Sequence, residues 1–136
     1  MAILRQTKHA VKEVLVGTYN IGLRPIRLYA NPNSNDGSVN VIPKDNGSTK
    51  VNIGIDQSWS RAVATLLHET YEIALIDLNT RFEQNPVYSN ESSDFVFFMT
   101  HNELGEAHER IGELLENVLP DFRKIYDRHS PRKKRK

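Results

Sequence analysis

Leu66-Leu67-His68-Glu69-Thr70-Tyr71-Glu72-Ile73-Ala74 is the stretch from which the rest of this 136-residue chain is best read. It lies inside a longer helical pattern that Ser58 or Ser60 can cap and that runs to about Thr80. Val63, Leu66, Leu67, Ile73, Ala74, Leu75 and Leu78 cover most of the circumference, so the helix is expected to be buried on more than one side. Charge in such a setting is costly unless it is paired or used. Residues four apart on a helix point the same way, so His68 and Glu72 can offer an imidazole nitrogen and a carboxylate oxygen to one metal ion. Glu69 lies about a hundred degrees round the helix from His68 and can reach a metal-bound water without ligating the metal. The same spacing also arises in ordinary helices, where pairing of His68 with Glu72 is mildly stabilising.

Ahead of this helix the pattern is mainly β. Residues 25–30 carry the strand formers Ile26, Leu28 and Tyr29, and Asn31-Pro32-Asn33-Ser34-Asn35-Asp36-Gly37 is dense in turn residues. Residues 39–42 and 50–55 flank a turn with Asn46-Gly47 at its tip, which predicts a hairpin. In its second arm Val51, Ile53 and Ile55 alternate with Asn52 and Gly54, so one face packs, and a sheet of three or four antiparallel strands follows. Residues 6–16 place Ala10, Val11, Val14 and Leu15 at helical spacing before Gly17, predicting a short N-terminal helix.

After the long helix, residues 83–93 read as a polar loop and Phe95-Val96-Phe97-Phe98-Met99 as a short strand. Thr100-His101-Asn102-Glu103 has capping-box spacing at the head of a last helix. Its expected buried stripe is Leu104, Ala107, Ile111, Leu114, Leu115 and Val118, and Pro120 is expected to kink or end it. The fold class is therefore α+β: N-terminal helix, small antiparallel sheet, long buried motif helix, short strand, C-terminal helix. One domain is expected over residues 1–129, followed by a flexible basic tail over residues 130–136.

The absence of cysteine removes disulfides, thiolate ligands and cysteine nucleophiles, so any metal must be held by His, Asp and Glu. Beside His68 and Glu72 the first choice for a third ligand is His101, which follows the aromatic strand and opens the next helix. Glu106 and His108 are alternatives, while the capping box draws Glu103 to a structural role. No apolar run approaches the roughly 20 residues that span a bilayer, and the N-terminus lacks the apolar core of a signal peptide, so no membrane contact and a cytoplasmic location are expected. From Arg123 onward lie eight of the eighteen Lys and Arg residues and, among acids, only Asp127. An acidic body thus carries a basic end.

The nine-residue stretch around His68 resembles the active helix of zincin metallopeptidases, and the sheet before it and helix after it match the minimal zincin core. The similarity covers about residues 28–116 in element order and is closest to small zincin-like proteins carried by phages and prophages. It implies a metal-dependent hydrolase, a peptidase or amidase. In that family two motif histidines and a downstream His or Glu bind zinc while the motif Glu is the general base. Carried over, Zn2+ falls to His68, Glu72 and His101, and activation of the zinc-bound water to Glu69. The second motif histidine is Glu72 here, a residue whose carboxylate can also bind zinc. The alternative is a non-catalytic binding protein on a degenerate zincin-like fold, such as a phage-encoded inhibitor or adaptor. Its partner would be a protein or peptide, with weak nucleic-acid contact through Arg132, Lys133, Lys134, Arg135 and Lys136.

Overall fold

In a computed structural model, residues 12–44, 48–83 and 95–132 are described. The chain enters as strand β1 (Val14–Ile21) and turns at Gly22-Leu23 into β2 (Arg24–Asn31). Gly22 has φ +61°, a left-handed conformation that glycine adopts without a Cβ penalty. After a turn come β3 (Gly37–Lys44) and β4 (Ser48–Gly54), paired antiparallel as the expected hairpin, whose tip lies outside the described residues. The spatial order is β1-β2-β4-β3. Because the β2–β3 connection carries the chain to the far edge and the hairpin returns it to the middle, β2 and β4 run parallel. The sheet is therefore mixed, correcting the expectation of a purely antiparallel one.

The expected N-terminal helix is also corrected where it can be seen. Val14, Leu15 and Val16 belong to β1, with a bulge between Leu15 and Gly17. Residues 6–11 of that helix lie outside the described residues. Val14 and Leu15 fit either period over so short a run, and pairing with Ala30 and Tyr29 of β2 decides for the strand. Gly17 is a close-approach site, since a Cβ there would stand 2.5 Å from the Tyr19 hydroxyl.

One face of the sheet is apolar. Ile26, Leu28 and Ala30 of β2 and Val51 and Ile53 of β4 are fully buried, while Arg27, Tyr29, Lys50 and Asn52 alternate on the other side. Against the apolar face packs α1 (Trp59–Asp77), capped by Ser58, whose hydroxyl accepts from the Arg61 amide at 3.3 Å. It buries Ala62, Leu66, Thr70, Ile73, Ala74 and Leu75 and leaves Arg61, Ala64 and His68 exposed. Asn79, in the left-handed region at φ 60°, ends it.

The short strands β5 (Arg81–Glu83) and β6 (Phe95–Phe97) form a separate antiparallel pair. The last helix, α2 (His101–His129), begins with the expected capping box between Thr100 and Glu103. Its stripe is Ala107, Ile111, Leu114, Val118, Phe122 and Tyr126, whereas Leu104 is 38% exposed. Pro120 neither ends the helix nor interrupts the stripe. It lies on the exposed side, as does Glu116, whose carbonyl loses the proline's missing N–H and can turn to water. Each fully buried Ile, Leu or Phe in this core contributes roughly 1.5–3 kcal/mol of transfer free energy.

Two sets of ties fix α1. At its C-terminal end Arg24 grips Asp77 through Nε to Oδ2 at 2.7 Å and Nη2 to Oδ1 at 2.6 Å, and also donates to the buried Thr49 hydroxyl at 3.0 Å. At its N-terminal end Trp59 packs tilted against Phe122 and edge-on to Tyr126, and the Tyr126 hydroxyl donates to the Gln57 carbonyl at 2.7 Å. The domain extends past its expected boundary, because Ser130 is buried and donates to the Ile55 carbonyl at 2.8 Å. Arg132 then stands 3.6 Å from Asp56. Residues 133–136, the rest of the basic tail, lie outside the described residues. Among the described residues no helix is long and apolar enough to cross a membrane.

Candidate functional site

The turn before β3 builds one wall of a cleft. The Asn31 side chain accepts from the Asn33 amide and the Ser34 hydroxyl from the Asp36 amide, so the turn is held by its own polar side chains. The turn is also sewn to the end of β4, with Gly54 N–H donating to the Asp36 carbonyl at 2.6 Å and Ile55 N–H to the Asn31 carbonyl at 2.9 Å. Only glycine fits at position 54, where a Cβ would overlap the Ser34 carbonyl and stand 2.7 Å from the Asp36 amide nitrogen. The other wall is the exposed face of α1. Between them is a cleft of about 520 Å3 whose lining includes Asp36, Gln57, Arg61, Thr65, His68 and Glu69.

His68 and Glu72 come together as their spacing predicts. Nε2 of His68 stands 3.3 Å from Oε2 of Glu72, with the imidazole largely in solvent and the carboxylate mostly covered. Two donors bound at about 2.1 Å to one tetrahedral zinc stand about 3.4 Å apart, so this separation fits the bite of a metal as well as that of an ion pair.

Glu69 is half-buried beside them and faces β3. A Cβ on Gly37 would stand 2.9 Å from its Cγ and Oε1, which shows how closely the strand passes over the carboxylate. Burial pushes its pKa above the ordinary carboxylate value, the Glu72 and Asp36 charges push it further, and His68 opposes them. A carboxyl with a raised pKa at a cleft wall is suited to exchanging protons with a substrate or a water.

His101 does not join this group. Trp59 lies against Phe122 and Tyr126 while Tyr71 lies against His108 at 5.5 Å, so the two helices run antiparallel. His101 is seven residues, about 10 Å, beyond His108 toward the far end of α1, and it is exposed. The alternatives have other partners: Glu106 pairs with Arg110 at 3.1 Å, and His108 Nδ1 stands 2.7 Å from the Leu104 carbonyl. Among the described residues no group of three or more His, Asp or Glu side chains is placed to hold a metal. His68 and Glu72 supply two donors at that separation, one fewer than the three protein ligands of a catalytic zinc.

The cleft also contains residues that the motif does not announce. Arg61 is seven residues before His68 and so on the same face of α1, a signal that helical spacing carries. Asp36 and Gln57 have no such signal, since the turn and the β4–α1 junction bring them in. Gln57 is fixed by donating from Nε2 to the Gly54 carbonyl at 2.7 Å and to the Thr65 hydroxyl at 3.2 Å.

The chain matches no known family model, no curated protein and no solved structure.

Proposed function

We propose that this chain is a metal-dependent hydrolase on a zincin-like fold, acting on a peptide or amide bond. The observation that supports it is the Glu69 carboxyl, raised in pKa and set in the cleft wall beside a His68–Glu72 pair with the bite of a metal. His68 and Glu72 would hold the ion. A divalent metal supplies Lewis acidity toward a carbonyl oxygen or a water at that position.

The remaining chemistry belongs to the chain. Glu69 takes a proton from the attacking water and passes it to the leaving nitrogen; the carbonyl carbon gains the water oxygen and the C–N bond breaks. Its raised pKa makes the carboxyl a better proton acceptor than an ordinary surface glutamate and leaves it able to return the proton. Burial, with β3 passing close over the carboxylate, is the largest cause of that shift, and the Asp36 charge adds to it when Glu72 is engaged by the ion.

Zinc content and zinc titration of protein purified without chelator test the reading. One zinc per chain is expected, with affinity falling at least tenfold in His68→Ala and in Glu72→Ala, since loss of even an outer-shell partner of a ligand costs about 10- to 100-fold. Hydrolysis of a mixed peptide substrate should be abolished by chelator and by Glu69→Gln. Zinc at background level, with His68→Ala unchanged in behaviour, ends the hydrolase reading and leaves a binding protein acting through a protein or peptide partner.

A further inference from the structure

The cleft has a cationic end that the hydrolase reading does not use. Arg61 lines it, is exposed, and has no ion pair or side-chain hydrogen bond among the described residues. The other arginines near α1 are engaged: Arg24 with Asp77, Arg110 with Glu106, and Arg123 with Asp127 and the Trp59 ring. Seven residues of α-helix turn through about 700°, so Arg61 lies within about 20° of His68 and about 10 Å along the axis from it. An unpaired guanidinium therefore faces the same opening as His68 and Glu69, from about two turns earlier on the helix.

We infer that Arg61 anchors a carboxylate of the substrate, so that the site takes peptides or amides carrying a free carboxylate two or three residues from the bond attacked. This rests on the hydrolase reading for the identity of that bond. An extended chain advances about 3.3 Å per residue, so about three residues bridge the span. The cleft volume of about 520 Å3 lies in the range of small-ligand sites. Guanidinium matches carboxylate as a planar two-pronged donor. The acids Asp36 and Glu69 on the same walls favour a singly charged carboxylate over a doubly charged phosphate.

The test is binding of N-acetyl-trialanine and of its C-terminal amide to the 15N-labelled full chain, with chelator present so that no metal contributes. The free acid should bind at least tenfold more tightly than the amide, shifting backbone resonances from Arg61 to Glu69. Arg61→Gln should erase that preference, and Arg61→Lys should keep part of it, with circular dichroism showing both variants folded. Equal binding of acid and amide by the unaltered chain overturns the inference. So does a preference that survives Arg61→Gln, or inorganic phosphate binding as tightly as the peptide acid. The two readings fail separately: an Arg61-dependent preference without zinc binding or hydrolysis removes the hydrolase, whereas zinc-dependent hydrolysis indifferent to the carboxylate removes the anchor.

Discussion

The two ends of α1 treat charge in opposite ways. At its C-terminal end Asp77 is placed where the helix dipole disfavours an acid, and Arg24 answers with two short bonds while its third donor reaches buried Thr49. The charges of Asp77 and Arg24 are matched there. Along the cleft face, two to four turns earlier, Arg61 has no partner among the described residues, and Glu69 is desolvated and crowded by two other acids. Stability argues for matched charge, so the end that is matched holds the fold, and the face that is left unmatched is the one available for a ligand.

Asp77→Ala should give the largest effect. It removes two charged hydrogen bonds and leaves a mostly covered guanidinium, a loss of roughly 1.5–3 kcal/mol, against a gain of about 0.3–1 kcal/mol from relieving the dipole. The net expectation is about 2 kcal/mol of lost stability in a denaturant titration, with zinc and peptide binding unchanged in the folded protein. A loss of binding as large as the loss of stability would erase the distinction between the two ends.

The division also marks what the sequence made legible. Helix α1, the part of α2 before Pro120, the Ser58 and Thr100 caps and the alternation of β4 were readable because each rests on spacing within a single element, whereas the continuation of α2 past Pro120 was not. The pairing of His68 with Glu72 was readable for the same reason. The parallel pairing of β2 with β4 was not, since it depends on where a five-residue turn delivers the chain. His101 looked well placed because it follows an aromatic strand. Its distance from His68 is set by the antiparallel register of two helices, fixed by Trp59 on Phe122 and Tyr71 on His108, and no spacing along the chain encodes that. Asp36 and Gln57 reach the cleft by the same kind of non-local route.

Gly37→Ala probes the cleft face at intermediate size. The new methyl would stand 2.8 Å from Thr65 Cγ2 and 2.9 Å from Glu69 Cγ, so both side chains must shift. Overpacking costs about 1–3 kcal/mol, and the lower chain entropy of alanine in the unfolded state returns about 0.4–1 kcal/mol. Because side chains at a cleft wall give way more easily than backbone, the net loss should be about 1 kcal/mol, less than for Asp77→Ala. On the proposed mechanism hydrolysis should nonetheless fall much further than stability, since the displaced atoms include the carboxylate assigned the proton transfer. Full activity in this variant would show that Glu69 need not lie beneath β3.

Glu69→Gln should have the smallest effect on stability and the most informative dependence on pH. Burial and the charges of Glu72 and Asp36 raise the folded-state pKa of this carboxyl above its ordinary value of 4.5. Between 4.5 and that raised value the folded chain binds more of this proton than the unfolded chain, so stability contributed by the protonated form is lost as pH rises from about 4.5 through the raised value. Glutamine keeps the shape and removes the charge, so the variant should melt higher than the original chain at pH 7, with the difference shrinking toward zero as the pH is lowered below 4.5. The gain should be modest, because the group is only half-buried and solvent screens its neighbours. A constant difference across pH, or a variant that melts lower at pH 7, would place Glu69 in the matched class with Asp77 and leave the cleft face without the unpaired acid on which the proposed chemistry depends.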